Sequence, residues 1–427
     1  MKEKVGSYRW SICALLFFAT TLSYVDRQVF AILAPILEKE IGWSEIEYGY
    51  LNSIFQFAYA LGLFLVGRFV DKVGTKLGYS LSIILWSFAE IGHAVVRSIT
   101  GFGVARFALA IGESGNFPAA IKTVAEWFPK KERALATGIF NSGANIGVII
   151  TAIMVPWLTI RFGWQASFVV TGLLGVIWVI FWIMIYNKPE RHKRMKSSEI
   201  DYIKSDGDEV VNNDSNDGKQ PWLKLLLYRQ SWSYILAKFL TEPAWWFYLG
   251  WLPKFFNKKF GLDLAHLGLP LIIIYSMACI GSIGAGWLSG FFIKIGLSVN
   301  KARKIALLTC AVLVVPIIFA SNVTQWLGIF LIGLAAAAHQ GWSANLYTVC
   351  SDMFPKNTVA SIVGLGSTIG AIGSMSFAVF AGFMLQLTGT YMYLFIICGF
   401  LYVIAFVIFN LLVPGLEPIN LRGIKSE

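Results

Sequence analysis

Two pairs of charged residues stand where charge is expensive. Asp26 and Arg27 are neighbours in the stretch Tyr24-Val-Asp26-Arg27-Gln28, and Arg106 and Glu113 lie seven residues apart in another apolar run. Seven residues is about two helical turns, so Arg106 and Glu113 share a face. A guanidinium can grip a carboxylate through two parallel hydrogen bonds. A partly buried carboxylic acid can take up and release a proton. Ionisable residues within such runs usually line a path through a membrane. The plainer alternative is that these four charges only neutralise one another and fix the packing of their helices.

A second group of residues suits a hydroxylated ligand. Glu242, Trp245, Trp246 and Tyr248 cluster in one run, and His339, Gln340 and Asn345 in another. Sugars offer hydroxyls that donate and accept, and C–H faces that lie on aromatic rings. Asn141 and Asn145, one turn apart, could add hydroxyl contacts, and Tyr59 and Asn116 complete the candidates. Each has a structural alternative. Asparagine in a span often bonds a neighbouring helix, tryptophan is common at membrane interfaces, and a lone histidine more often joins two helices than holds a ligand. Glu90 and His93 read as an interfacial pair, His192 as a linker residue and His266 as a loop residue.

The elements that position these residues are membrane spans. Of 427 residues, 56% are hydrophobic and 14% charged, against about 25% charged in a soluble domain. Runs long enough to cross the hydrocarbon core, which needs about 20 residues, recur along the chain. They are placed near 9–36, 48–70, 77–96, 100–124, 134–158 and 165–186, then near 229–257, 266–292, 303–321, 325–352, 358–386 and 390–413. The only long polar stretch is 187–228, with basic residues first and an Asn/Asp/Ser-rich run from Asn212 to Asp217. Glu199-Ile-Asp-Tyr-Ile within it reads as a short helix, the rest as flexible.

Lysine and arginine sit in the short loops, as in Arg68, Lys72 and Lys76 or Lys130, Lys131 and Arg133. By the positive-inside rule both termini and the linker are cytoplasmic, in an inner membrane. Lys254, Lys258 and Lys259 break this pattern on the outer side and read either as a lure for anions or as tolerated noise. The net charge of +11 is scattered over these loops and builds no continuous face for nucleic acid. The five cysteines stand singly in apolar runs, so free thiols and no metal site are expected. The first apolar run lacks an Ala-x-Ala site and reads as a retained span.

Six spans, a polar linker and six more spans resemble the two-bundle layout of the major facilitator superfamily, whose halves are parallel repeats. Gly67-Arg-Phe-Val-Asp71-Lys72-Val-Gly74-Thr-Lys76 closely resembles that superfamily's signature between its second and third helices. The equivalent loop of the second half keeps Gly286, Gly290 and Gly296 but no matching aspartate. Ile111-Gly-Glu113-Ser-Gly-Asn116-Phe-Pro118, continuing to Trp127-Phe-Pro129 and Arg133, resembles the anion:cation symporter branch. Phe239-Leu-Thr-Glu242-Pro243-Ala-Trp245, and Ala338-His339-Gln340 followed by Ser351-Asp352-Met-Phe, resemble the hexuronate carriers of that branch more narrowly.

The resemblance implies roles. Glu113 and Asp26 take part in proton coupling, and Arg27 meets the substrate carboxylate. Tyr59, Arg106, Asn116, Asn141, Asn145, Glu242, Trp245, His339 and Gln340 line the substrate site, and Gly67, Asp71, Lys72 and Gly74 govern gating. Some hexuronate carriers lack the aspartate of span one, which leaves the nearest subgroup open.

The expected fold is therefore an all-α membrane protein of about twelve transmembrane helices in two pseudo-symmetric bundles, 1–186 and 229–427, joined by the cytoplasmic linker 187–228. The expected activity is proton symport of a hexuronate-like anion, with an aldonate, an aldarate or sodium coupling as alternatives. No cofactor or metal is implied, and the partners are substrate, protons and the bilayer, for a chain acting as a monomer. A membrane enzyme is set aside for want of a nucleophile elbow, metal cluster or phosphate loop. A non-transporting sensor is set aside because the charged site is retained.

Overall fold

Apolar runs fold as helices here because hydrocarbon offers no partner to a backbone N–H or C=O outside the segment itself. The computed structural model describes residues 6–192, 195–204, 225–354, 356–417 and 419, without the side chains of 64, 67, 68, 71, 130, 131, 133–135, 191, 204, 351 and 356–361. Among the described residues there is no strand.

The first half comprises α1 (Tyr8–Ile41), α2 (Glu45–Val73), α3 (Thr75–His93), α4 (Ile99–Glu113), α5 (Asn116–Trp127), α6 (Lys130–Phe162) and α7 (Trp164–Ile185), followed by the short α8 (Ser197–Lys204). The second comprises α9 (Arg229–Phe260), α10 (Gly268–Lys294), α11 (Val299–Val314) with a 3-10 extension (Val315–Phe319), α12 (Gln325–Met353), α13 (Lys356–Thr388) and α14 (Met392–Leu412). The expected spans fall on these helices, with α4 and α5 together making the fourth. Among the described residues seven segments are long and apolar enough by themselves to cross a membrane, and the chain is a multi-pass membrane protein. Helices such as α1, α3 and α9 are less apolar because they carry the ionisable residues in question.

The helices gather into two compact units, Met1–Trp43 with Ile54–Lys219, and Ser44–Ser53 with Gln220–Glu427. In the first unit α1 packs along α6, and α3 along α4 and α7. Close approach requires glycine: a Cβ on Gly147 of α6 would lie 2.5 Å from the Thr21 carbonyl oxygen of α1. At the helix starts Arg9 bonds Glu132 at 2.8 Å and Glu199 of α8 at 3.2 Å, and Tyr202 donates to Glu132 at 2.8 Å. The short linker helix is thereby tied to α1 and α6. Linker residues 193–194 and 205–224, Asn212–Asp217 included, lie outside the described residues.

In the second unit α9 packs along α13 and α14, α10 along α12, and α11 against α12 and α14. First span on fifth (α1 on α6) matches seventh on eleventh (α9 on α13), and third on sixth (α3 on α7) matches ninth on twelfth (α11 on α14). That is the internal correspondence expected of parallel repeats. A second trace of the repeat is backbone geometry: Gly74 and Gly296 have φ of +89° and +97° in the loops after the second and eighth spans.

Lys254 and Lys258 are not a free basic patch. Both ammonium groups pair with Glu45 at the start of α2, Lys254 at 2.8 Å and fully buried, and Tyr48 donates to the Gly250 carbonyl at 2.5 Å. A buried cation near the end of a span calls for such a partner.

Candidate functional site

The charges of the first unit converge because α4 lies tight on α3. A Cβ on Gly112 would sit 2.6 Å from the Trp86 backbone nitrogen, so only glycine permits this approach. One residue later α4 ends, and the Ser114 hydroxyl turns back to the Ile111 carbonyl at 2.7 Å. Glu113 is thus the last residue of α4, at a break inside the fourth span, with its carboxylate fully buried.

Its ion-pair partner is Arg27 of α1, whose Nε donates directly to Glu113 Oε2. The seven-residue spacing points instead to Arg106 as the partner, and Arg106 acts on Glu113 through its field. The Arg27 guanidinium is caged by aromatic faces, 4.7 Å from the ring centroids of both Tyr24 and Tyr59 and 5.6 Å from that of Phe55. Arg106 lies 4.2 Å from the Phe55 ring and 4.4 Å from that of Phe30. Phe55 therefore has both guanidiniums against it, and it stacks on Tyr59 at 6.2 Å. Quadrupolar faces attract cations and shed water, which suits them to holding two arginines apart in an apolar setting.

Asp26 is fully buried and interacts electrostatically with Glu113 and Arg27. A third carboxylate joins it. Glu90 of α3 has no exposure, accepts from the Thr171 hydroxyl at 3.3 Å, and feels Asp26, Glu113 and Arg106. His93 is equally buried, with Nδ1 2.9 Å from the Ala89 carbonyl and its ring stacked on Phe168 at 5.1 Å. Reading Glu90 and His93 as an interfacial pair is corrected by this burial. The signal was present: Tyr79, Ser82, Trp86, Glu90 and His93 recur every three or four residues, a polar stripe that a span must turn inward.

The asparagines divide. Asn116 is consumed between helices, accepting from Tyr79 at 2.5 Å and donating to Thr20 at 3.4 Å. Asn345 similarly donates to the carbonyls of Gly341 at 3.0 Å and Ala285 at 3.2 Å. Asn141 is exposed and Asn145 half-buried on α6.

In the second unit a polar cluster is built on α9. Trp245 stacks on His339 of α12 at 5.0 Å and 6°. His339 Nδ1 lies 2.6 Å from the Tyr402 hydroxyl, which donates to the Thr241 carbonyl at 3.2 Å. Since the hydroxyl's one proton goes to Thr241, His339 Nδ1 is assigned as the donor to Tyr402, leaving Nε2 as an acceptor. Glu242 is paired with Lys238, one turn earlier on α9, at 2.5 Å. Sequence reasoning missed Lys238, although a lysine in mid-run four residues before a glutamate was legible. Gln340 is half-buried on α12.

Of the gating candidates, Lys72 is exposed and Gly74 makes the positive-φ turn into α3. The side chains at Gly67 and Asp71 lie outside the described residues.

The chain matches the sequence profile of the Major Facilitator Superfamily over residues 16–378. It is 32% identical over 389 residues to the hexuronate transporter of Escherichia coli K12, covering 91% of this chain and 90% of that one. Identity is also 32% over 307 residues to the galacturonate transporter of Dickeya chrysanthemi, with 71% and 89% covered. A probable galactarate/D-glucarate transporter of Bacillus subtilis is 27% identical over 99% of this chain and 96% of its own. In fold, the chain is similar to a bacterial homologue of the human lysosomal transporter Spinster, with a TM-score of 0.76 at 18% identity over 96% and 98%. The D-xylose-proton symporter gives a TM-score of 0.76 at 14% identity over 96% and 99%.

Proposed function

The chain belongs to the major facilitator superfamily, and we propose from this that it carries a sugar-acid anion, a hexuronate foremost, across the membrane together with protons by alternating access. It is a transporter and not an enzyme, as are the relatives it resembles over most of its length. An inner-membrane location, cytoplasmic termini and action as a monomer belong to the same reading.

The observation that carries it is the buried pair of Arg27 and Glu113 within its aromatic cage. A guanidinium whose charge is neutralised by an internal carboxylate holds an external one tightly in an apolar setting only if the internal one loses its charge. Protonation of Glu113 removes its charge and leaves it a hydroxyl donor, so Arg27 turns to the substrate carboxylate. Anion and proton are then bound together, because the single charge of Arg27 neutralises only one ionised carboxylate in this buried setting. Asp26 and Glu90, which feel the charge of Glu113, are assigned to proton exchange with it, and Arg106 adds a second positive charge to the group. The resemblance to proton-coupled carriers supports this order; a sodium ion beside the same carboxylates is the competing choice.

Trp245, His339, Gln340 and Glu242 are assigned to the sugar, with the Trp245 face for C–H groups and His339 Nε2 for a hydroxyl. Tyr59 belongs with Arg27. Asn141 and Asn145 stay candidates for hydroxyl contacts, while Asn116 shapes the site by fixing α5. The turn holding Gly67, Asp71, Lys72 and Gly74 is assigned to the conformational cycle. A dicarboxylate substrate would call for a further cation, and the buried Lys238 is already paired with Glu242.

Uptake into proteoliposomes from a panel of uronates, aldonates and aldarates tests the substrate class. Uronates are expected to enter fastest. Failure of all three classes to enter contradicts the reading.

A further inference from the structure

Lys238 has no part in gripping a carboxylate at Arg27, yet an ammonium buried in a span is costly enough to call for a reason. Its side chain is 3% exposed, and its Nζ reaches Glu242 Oε2 at 2.5 Å and the Tyr347 hydroxyl at 3.3 Å. The Tyr347 ring lies under the same ammonium at 4.9 Å. The pair shares one face of α9, four residues apart. A glycine of α13 lies close against the pair, since a Cβ on Gly370 would meet Glu242 at 3.3 Å.

The two partners are buried unequally. Glu242 is 24% exposed against 3% for Lys238, so the carboxylate covers the lysine. Glu242 is also within the electrostatic reach of His339, beside Trp245. A ligand arriving among these side chains meets Glu242 before Lys238.

We propose that Glu242 is a built-in counter-anion: it holds on Lys238 the place that a substrate's second carboxylate would take, so the chain accepts monoanionic sugar acids and refuses dianionic aldarates. This rests on the sugar-acid reading above. The discrimination follows from hydrogen-bonding roles. At this cluster a uronate or aldonate presents hydroxyls, which can donate to an ionised carboxylate. An aldarate presents a second carboxylate, which only accepts and is repelled. Specificity of this kind comes from a repulsive element as much as from an attractive one. Glutamine in place of Glu242 removes the repulsion, keeps a hydrogen-bonding group of similar size, and leaves Lys238 to pair with the second carboxylate.

The test is competition of galactarate and galactonate against labelled galacturonate uptake in proteoliposomes. In the parent, galactarate is expected to be the poorer competitor. In Glu242→Gln the ratio of half-inhibitory concentrations, galactarate to galactonate, is expected to fall about tenfold or more. The double variant Lys238→Gln/Glu242→Gln, which has neither charge, is expected to return the ratio towards the parental value. A parent that accepts galactarate as readily as galactonate overturns the proposal, as does an unchanged ratio in Glu242→Gln. If Glu242→Gln is not recovered in the membrane, the double variant decides, and one that admits aldarates and aldonates alike overturns the proposal. A parent that takes up none of the monoanions defeats the sugar-acid reading itself, and the inference falls with it.

Discussion

On the proposed reading Arg27 is the residue on which the chemistry turns. It is buried, bonded through Nε to Glu113 and flanked by Tyr24, Phe55 and Tyr59. Lysine at this position keeps the charge but loses the planar fork and the broad π contact. Arg27→Lys is therefore expected to weaken sugar-acid binding by about tenfold to a hundredfold, or about 1.4–2.8 kcal/mol. Titration calorimetry on purified protein checks this, and parental affinity in Arg27→Lys moves the carboxylate contact to Arg106. The sequence disclosed Asp26, Arg27, Arg106 and Glu113 because charge in an apolar run is conspicuous. It did not disclose who pairs with whom. The spacing of Arg106 and Glu113 fixes a shared face, but a long arginine side chain from α1 reaches the same carboxylate, and only tertiary packing decides between them. Glu90 was misjudged for a related reason: position near a span's end suggests the interface, whereas the facing of its stripe is set by α7 through Thr171.

At the scale of elements, the start of α2 offers a prediction outside the hydrocarbon. Burial pushes the Glu45 carboxyl up, but Lys254 and Lys258 beside it outweigh burial and hold it below the usual 4.5. A carboxyl whose folded value is depressed adds stability that is fully present above the unfolded value and is lost as pH falls through the folded one. Parent protein in detergent is therefore expected to lose melting temperature between about pH 5 and pH 3 more steeply than Glu45→Gln, which lacks the linkage but is less stable at neutral pH. Parallel curves for the two proteins would remove the ion pair from the account. Helix existence was legible throughout, since long apolar runs leave the backbone no other solution. The break between α4 and α5 was not, because Gly112, Ser114 and Gly115 within an apolar run read equally well as close-packing residues in an unbroken helix. Likewise, Lys254 and Lys258 have the look of loop charges in sequence, and only the fold brings Glu45 between them.

At the scale of the whole molecule, two units with corresponding internal packing supply different chemistry. The first holds guanidiniums and carboxylates, the second an aromatic and imidazole cluster with its own ion pair. A turn that governs the cycle and not recognition gives a separable phenotype. Asp71→Asn is expected to slow net uptake about tenfold or more while equilibrium affinity changes less than about twofold. Stopped-flow uptake with calorimetry separates the two, and a large affinity loss with normal turnover would place Asp71 in recognition instead. Coupling is the central claim. One proton carried with one monoanion moves no net charge, whereas a second adds about 2.3 kcal/mol of driving force per 100 mV. The most direct test compares parent and Glu113→Gln in proteoliposomes, first in substrate counterflow and then with only a pH gradient imposed. The parent is expected to concentrate galacturonate on the pH gradient alone. Glu113→Gln, fixed in the likeness of the protonated acid, is expected to exchange substrate in counterflow yet fail to concentrate it. Accumulation by Glu113→Gln on a pH gradient, or parental accumulation that answers only to sodium, would contradict the account.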